Sequence, residues 1–307
     1  MRTKPTGLKL RNLGNDAFSV ETPPEHIKLH GIVLAVAKKQ SGKSFLLTNI
    51  LSQLQKAGSI QRIIVVSDTF DSNKKMMSDL NIRATDVYSP SDPDVVTKIT
   101  DTINAERDDL QRYRDEMKRY KELDKRLMNA SVWDDYLTPE LLSLYNPDTD
   151  EFEEPKHWLN GKRVGIAIYA DDVQSTPLLS NKAWRNLCIK CRHLGSFPDG
   201  SPPIGCSIFC AIQNYTAQGG DGVPKAIRGN VNCVAIWRTG NMKELDLLMT
   251  ELSGQIPKEK LLRAYHAVMD KDPDDRHACL FVDLNPKPHH PSPFRINYTD
   301  WLILDDD

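Results

Sequence analysis

The chain has 307 residues, of which 39% are apolar and 27% charged, a composition ordinary for a globular protein with one large α/β domain. Its formal net charge of −2 excludes a generally basic, histone-like nucleic-acid binder, although a local basic strip that contacts DNA is compatible with it. The longest apolar run near the start is too short to span a bilayer, and without a secretory signal or a disulfide framework among its six cysteines the sequence predicts a reducing compartment.

The first predicted elements in chain order are an arm, a strand, a helix and a second strand. Residues 1–28 are polar and contain proline, which predicts an irregular N-terminal arm. Residues 31–37 are continuously apolar and rich in β-branched side chains, as in a strand buried on both faces of a parallel sheet. Apolar residues at helical spacing over 44–56 predict a helix that Gly58 ends, and residues 63–66 predict the next strand. This order is the opening unit of a doubly wound sheet.

A long charged segment, at about residues 90–160, then interrupts the pattern. Within it, apolar side chains recur every three or four positions: Ile99, Ile103, Leu110, Tyr113, Met117, Tyr120 and Leu127. The spacing predicts one long amphipathic helix or a helical hairpin, and Glu106 and Asp124 interrupt the seam too often for a long coiled coil. The segment is either a lid or partner-binding arm, or a helix packed on the body with a solvated face.

Further elements of the sheet follow this insertion. Strands are predicted at residues 164–169, 204–212, 231–237 and 279–284, and helices at 182–192, 243–252 and 258–269. After a Pro-rich turn, the apolar cluster 301–304 predicts a strand against the core or a contact for a partner protein.

A phosphate-binding motif joins the first strand to the first helix. Its residues are Ala37, Lys38, Lys39, Gln40, Ser41, Gly42, Lys43 and Ser44. Such a loop cradles phosphates with backbone N–H groups at a helix N-terminus, so we expect ATP and Mg²⁺ as cofactors. In this pattern Gly42 allows close approach of the backbone, Lys43 neutralises the β- and γ-phosphates, and Ser44 ligates Mg²⁺. Ala37 replaces the usual first glycine, and Lys38 and Lys39 are either phosphate contacts or exposed loop lysines.

Two carboxylates follow the strand predicted at residues 164–169. Asp171 is predicted to hold Mg²⁺ and Asp172 to act as the general base for the attacking water. The alternative is a turn with two exposed aspartates. Gln213 ends the next predicted strand, where a polar side chain is expected to sense the γ-phosphate.

We therefore predict an α/β fold with a RecA-like P-loop NTPase core, a central mostly parallel sheet and a long helical insertion. The predicted parts are the arm over residues 1–28, the ATPase domain over 29–285, and a Pro-rich turn with a C-terminal tail over 286–307.

The motifs stand in the order P-loop, Tyr169-Ala170-Asp171-Asp172, Cys191-Arg192-His193, Gln213 and Pro224-x-x-Ile227-Arg228-x-Asn230. This order resembles the poxvirus-type genome-packaging ATPases of large DNA viruses, which belong to the FtsK–HerA group of P-loop motors. The resemblance covers roughly residues 31–237. Its specific parts are the Arg-His pair and the stretch from the glutamine to the asparagine, because many ATPases share the P-loop and the paired aspartates.

The resemblance implies a ring-shaped homo-oligomer that uses ATP to thread double-stranded DNA into a preformed capsid. It also implies capsid or portal-vertex proteins as partners, and a location in the host cytoplasm or the virion. In such rings one subunit lends an arginine to its neighbour's γ-phosphate. Arg192 is the first candidate for this finger and Arg228 the second. For each, the alternative is a structural ion pair or a DNA phosphate contact.

Two other functions stay open at the level of sequence. A nucleotide kinase-type phosphotransferase shares the P-loop, but it should have a compact lid that bears arginine, whereas the insertion here is long and mixed in charge. A non-catalytic, nucleotide-binding partner of the capsid is disfavoured by the intact phosphate loop and paired aspartates. A zinc site built from Cys188, Cys191 and His193, with Cys206 and Cys210, is a weaker pattern because two of these cysteines lie in a predicted buried strand.

Overall fold

The computed structural model describes residues 20–75, 77–129, 145–146, 151–216, 222–272 and 274–305. Its strands are β1 (Ile32–Val36), β2 (Arg62–Val66), β3 (Val87–Tyr88), β4 (Tyr145–Asn146), β5 (Glu151–Phe152), β6 (Ile166–Ala170), β7 (Ser207–Ile212), β8 (Val231–Trp237), β9 (Cys279–Asp283), β10 (Phe294–Ile296) and β11 (Asp300–Trp301). Its α-helices are α1 (Lys43–Lys56), α2 (Val95–Asn129), α3 (Pro177–Ser180), α4 (Lys182–Ile189), α5 (Lys225–Arg228), α6 (Met242–Leu252) and α7 (Lys258–Met269). No helix in these ranges is both long enough and apolar enough to cross a membrane.

The central sheet of the described ranges has nine strands in the order β11-β10-β9-β8-β1-β7-β6-β2-β3. The strands from β8 to β3 in this order pair in parallel, whereas β9, β10 and β11 pair antiparallel. The mostly parallel α/β fold predicted from the sequence is therefore confirmed. Because parallel strands end at the same edge of a sheet, the segments after β1, β6 and β7 meet there.

The sheet is buried on both faces, which explains the continuous apolar runs of its strands. On one face, alternate residues of β1 pack with the apolar stripe of α1, as with Val33 against the cluster that holds Leu47 and Leu51. On the other face, α2, α4, α6 and α7 cover the sheet and form a second cluster that contains Leu34 and Trp184. The phosphate loop thus leaves a strand that is fixed on both sides.

The insertion forms one long helix rather than a hairpin within the described residues. Its first turns belong to the core, because Ile99 and Ile103 are fully buried. Glu106, which interrupts the apolar seam, is also buried, and Arg62 Nη1 of β2 donates to its Oε1 at 2.6 Å. Arg62 forms two more bonds with the buried Asp86. The interruption is therefore a paired anion that joins α2 to the sheet. The side chains of Asp124 and Leu127 lie outside the described set.

Some predicted boundaries move in the structure. The strand predicted from residue 204 begins at Ser207, because Gly205 adopts a left-handed φ of 65° and its Cα lies against His30, where a Cβ would approach the ring to 2.6 Å. The segment 286–307 that the sequence set apart as a tail contributes β10 and β11 to the sheet.

Candidate active site

The phosphate loop leaves β1 and turns sharply into α1. The backbone N–H of Ala37 donates to the carbonyl of Ile212 at 3.1 Å, which ties the loop to β7. Gln40 and Gly42 have left-handed φ values of 63° and 96°. No side chain caps the start of α1, so the first N–H groups of the helix are not used by a capping residue. Such a helix start is suited to phosphate oxygens.

Lys43 is folded onto its own loop. Its ammonium donates to the carbonyls of Ala37 at 2.6 Å and Lys38 at 2.8 Å, and the residue is only 8% exposed. Burial lowers the pKa of Lys43, and the charges of Asp171 and Asp172 oppose that shift. A phosphate in the loop would offer this ammonium an acceptor of opposite charge in place of neutral carbonyls.

The end of β6 brings a carboxylate to the first turn of α1. Ser44 Oγ donates to Asp171 Oδ2 at 2.8 Å, and the Tyr169 hydroxyl donates to the same oxygen at 2.7 Å. Asp171 is 2% exposed, and burial raises its pKa despite these donors. Burial and the charge of Asp171 likewise raise the pKa of Tyr169.

This oxygen set fits Mg²⁺, which prefers hard oxygen ligands and is commonly held by one or two carboxylates together with substrate phosphates. Ser44 and Asp171 are the residues that would hold the ion, as the sequence predicts. Both come from the edge of the sheet that carries the phosphate loop, and their oxygens lie 2.8 Å apart, close enough for one ion to contact both.

Asp172 differs from its neighbour in exposure and in backbone conformation. Its carboxylate faces solvent, and its φ is 51°. Its N–H donates to Asp171 Oδ1 at 3.0 Å, and Thr69 Oγ1 lies 3.5 Å from its Oδ2. The turn therefore directs two adjacent carboxylates to different places, one buried beside Ser44 and one open to water.

Gln213 lies directly after β7, between the strands that carry the phosphate loop and the aspartates. Its backbone N–H donates to Gln174 Oε1 at 2.7 Å. The sequence did not single out Gln174. Its position three residues after Asp171 was the available signal, but nothing local shows that its side chain reaches the neighbouring strand.

The two predicted finger arginines lie in different surroundings. Arg192 is exposed in a 3₁₀ turn, Cys191–His193, and the carbonyl of Cys191 accepts from Cys206 N just before β7 begins. This is the opposite edge of the parallel sheet from the phosphate loop, so Arg192 does not join the site of its own chain.

Arg228 is held within the chain. Its guanidinium donates to both carboxylate oxygens of Glu251 at 2.9 Å and to the carbonyl of Val223 at 3.0 Å. It also lies over the Tyr215 ring, 5.2 Å from the centroid. The contacts are those of a structural ion pair, which the sequence left open as the alternative to a finger.

His277 approaches the phosphate loop from a distant part of the chain. Its Nδ1 lies 3.3 Å from the carbonyl oxygen of Ser41. No local pattern links His277 to the phosphate loop, because 236 residues separate it from Ser41.

The zinc pattern that the sequence disfavours is not assembled among the described residues. Within the ranges that the structure describes, no three His, Cys, Asp or Glu side chains cluster as metal ligands. Burial raises the pKa of Cys188, Cys191 and Cys206, which disfavours the thiolate that binds zinc.

No family model and no curated protein matches the chain. Among solved structures it is similar to the genome packaging NTPase B204 from Sulfolobus turreted icosahedral virus 2 in complex with sulfate, with 14% identity, a TM-score of 0.45, and coverage of 89% of this chain and 97% of that one. The complex of that NTPase with ATP-gammaS gives 14% identity, a TM-score of 0.40, and coverage of 89% and 98%. ATPases 2 and 3 of EssC from Geobacillus thermodenitrificans give 12% identity, a TM-score of 0.38, and coverage of 71% and 34%. These neighbours are NTPases or ATPases by name.

Proposed function

We propose that the chain is an ATPase whose hydrolysis of ATP to ADP and phosphate drives double-stranded viral DNA into a preformed capsid. One observation carries the ATPase part. Ser44 of the phosphate loop and Asp171, which directly follows β6, are in contact at 2.8 Å, although one strand lies between β1 and β6 in the sheet. A phosphate loop and a buried carboxylate placed together in this way are the parts that nucleotide hydrolysis requires.

The remaining groups at this edge supply the roles of an in-line displacement. Lys43 and the N-terminal N–H groups of α1 bind the phosphate oxygens and offset their charge. Ser44 and Asp171 would hold Mg²⁺, which when bound would further neutralise the phosphate charge. Asp172 accepts the proton of the water whose oxygen attacks the γ-phosphorus, and the bond to the β-phosphate oxygen breaks as the new bond forms. Gln213 contacts the γ-phosphate from the tip of β7.

The coupling to DNA rests on the sequence resemblance. On that basis we propose a ring of identical subunits with DNA inside the ring. Capsid or portal-vertex proteins would be its docking partners, in the host cytoplasm or the virion. In such a ring Arg192, on the edge opposite its own phosphate loop, would complete the site of a neighbouring subunit. This location is compatible with a finger supplied in trans, whereas Arg228 would first have to leave Glu251.

Steady-state ATP hydrolysis by the purified protein, with and without long double-stranded DNA, tests the proposal. Lys43→Ala serves as the blank. Hydrolysis that rises several-fold with DNA and vanishes in the blank is the expected result. Hydrolysis that ignores DNA contradicts the coupling, and phosphate transfer to a nucleoside or nucleotide instead of water identifies a kinase. ATP binding without turnover, in a protein shown by sizing to be assembled, contradicts the ATPase itself.

A further inference from the structure

The backbone N–H groups at the tip of β7 are held by two side chains, Gln174 and Glu244. Four consecutive backbone N–H groups, at residues 213–216, donate to only two oxygens. Gln174 Oε1 accepts the first two bonds, at 2.7 Å from Gln213 N and 3.2 Å from Asn214 N. Glu244 Oε1 accepts the next two, from Tyr215 N and, at 3.0 Å, from Thr216 N. The position of Gln213 therefore depends directly on where Gln174 places its oxygen.

Gln174 belongs to the same short loop as the paired aspartates. Two non-glycine residues of that loop, Asp172 and Ser175, have left-handed φ values of 51° and 61°. L-residues adopt this conformation rarely, and such strain persists only where surrounding contacts enforce it. The side chain that accepts from the tip of β7 is therefore carried by a conformationally strained loop.

The donor end of the same carboxamide is not used. Gln174 Nε2 is enclosed and has no hydrogen-bond acceptor among the described residues. A buried amide N–H group without an acceptor is unfavourable. The two hydrogen bonds to Oε1 are therefore the contacts that hold the Gln174 side chain in place.

The second anchor is of a different kind. Glu244 sits in the first turn of α6, where its N–H donates to Asn241 Oδ1 at 3.2 Å and its Oε2 accepts from Asn241 Nδ2 at 3.3 Å. It is thus fixed to a helix that packs in the core. One anchor of the tip belongs to the aspartate loop, and the other belongs to the body of the domain, at α6.

We propose that Gln174 is a positioning residue that sets Gln213 against the γ-phosphate according to the state of the loop that bears Asp172. The proposal rests on the ATPase function proposed above. It assigns to Gln174 no contact with the nucleotide, only the placement of the sensor through its backbone N–H. A change at Asp172 during hydrolysis is then transmitted to the tip of β7 through the two hydrogen bonds that Gln174 Oε1 accepts.

The test compares two substitutions that each leave two backbone N–H groups without their acceptor, and the one at Glu244 also removes the bond from Asn241 to its Oε2. Gln174→Leu removes the anchor on the aspartate loop, and Glu244→Leu is the matched control on the body. The readouts are kcat, the Kd for ATP-gammaS and the thermal midpoint. We expect Gln174→Leu to lower kcat by about tenfold to a hundredfold while Kd stays within about twofold, because misplacement of a group near the reacting atoms affects the chemical step most. Glu244→Leu should lower the midpoint by a similar amount and leave kcat within a few-fold.

A conservative variant adds a rescue. Gln174→Glu keeps an acceptor at the same distance and should restore most of kcat, whereas Gln174→Asn, one methylene shorter, should not. The asparagine variant also replaces Gln174→Leu if the leucine variant fails to fold. Equal kcat losses in the two anchor variants, or a Kd that weakens as much as kcat falls, would overturn the positioning role. Absence of ATP hydrolysis in the wild-type protein would instead count against the proposed function, which separates the two failures.

Discussion

The Tyr169 hydroxyl offers a quantitative test of how the metal-side carboxylate is held. Tyr169 is fully buried, and its hydroxyl lies 2.7 Å from Asp171 Oδ2. Tyr169→Phe removes this donor without changing the shape of the core. A hydrogen bond to a charged group contributes about 1.5–3 kcal/mol, so we expect the free energy of unfolding at pH 7.5 to fall by about that amount.

The loss should depend on pH with a definite sign. Burial raises the pKa of Asp171 above its value in the unfolded chain. Between these two pKa values only the unfolded chain loses its proton, so the free energy of unfolding falls as pH rises through this range. The hydroxyl stabilises the ionised form, and its removal raises that pKa further. The cost of Tyr169→Phe is therefore largest above the pKa of Asp171 and shrinks as pH falls through it, towards the value of about 1 kcal/mol for a neutral pair.

Urea unfolding of the two proteins at pH 7.5 and near pH 5, without nucleotide or Mg²⁺, measures this difference. Tyr265→Phe is a matched control, because the Tyr265 hydroxyl is also buried and its hydrogen-bond partners among the described residues are backbone groups, Thr239 N at 3.1 Å and the Trp237 carbonyl at 3.4 Å. The control should cost about 1 kcal/mol at both pH values. If Tyr169→Phe costs the same as the control and shows no pH dependence, the tyrosine does not support a charged Asp171.

Three further predictions concern the loop and the two arginines. Gly42→Ala should cost about 1–3 kcal/mol in urea unfolding and weaken nucleotide binding, because residue 42 has a φ of 96°; unchanged binding would mean that the loop does not need this conformation. Arg228→Ala and Glu251→Ala should lower the thermal midpoint to a similar extent, because each breaks one bidentate pair, and a loss of ATPase confined to the arginine variant would instead indicate a finger. Mixing Arg192→Ala with Lys43→Ala subunits should restore part of the ATPase that neither has alone, whereas no recovery in mixed assemblies would contradict a finger supplied in trans by Arg192.

The parts of the site that follow from local pattern were predictable. The phosphate loop lies between a buried strand and a helix, and Asp171 follows a strand of the same kind, so parallel pairing alone brings Ser44 and Asp171 to one edge. The long α2 was also predictable from its apolar spacing. The burial of Glu106 could not be predicted from the sequence of α2, because its ion-pair partner Arg62 lies 44 residues earlier.

The parts that depend on distant partners were not predictable. β3 has two residues and β10 has three, and such short strands exist because a neighbouring strand offers backbone partners, not because of their own side chains. The sequence around Gln174 and Glu244 likewise does not indicate that they bind the tip of β7, because that contact exists only in the folded chain. The orientation of Arg228 was open for the same reason.

Single-turnover phosphate release from bound ATP, compared between the wild-type protein and Asp172→Asn, tests the central claim most directly. The amide keeps the size of the side chain but cannot accept the proton of the attacking water. We expect the affinity for ATP to be retained and the rate of release to fall by about a hundredfold to ten-thousandfold, the usual contribution of a general base. Release at the wild-type rate from Asp172→Asn would contradict the assignment of this carboxylate, and with it the proposed hydrolytic site.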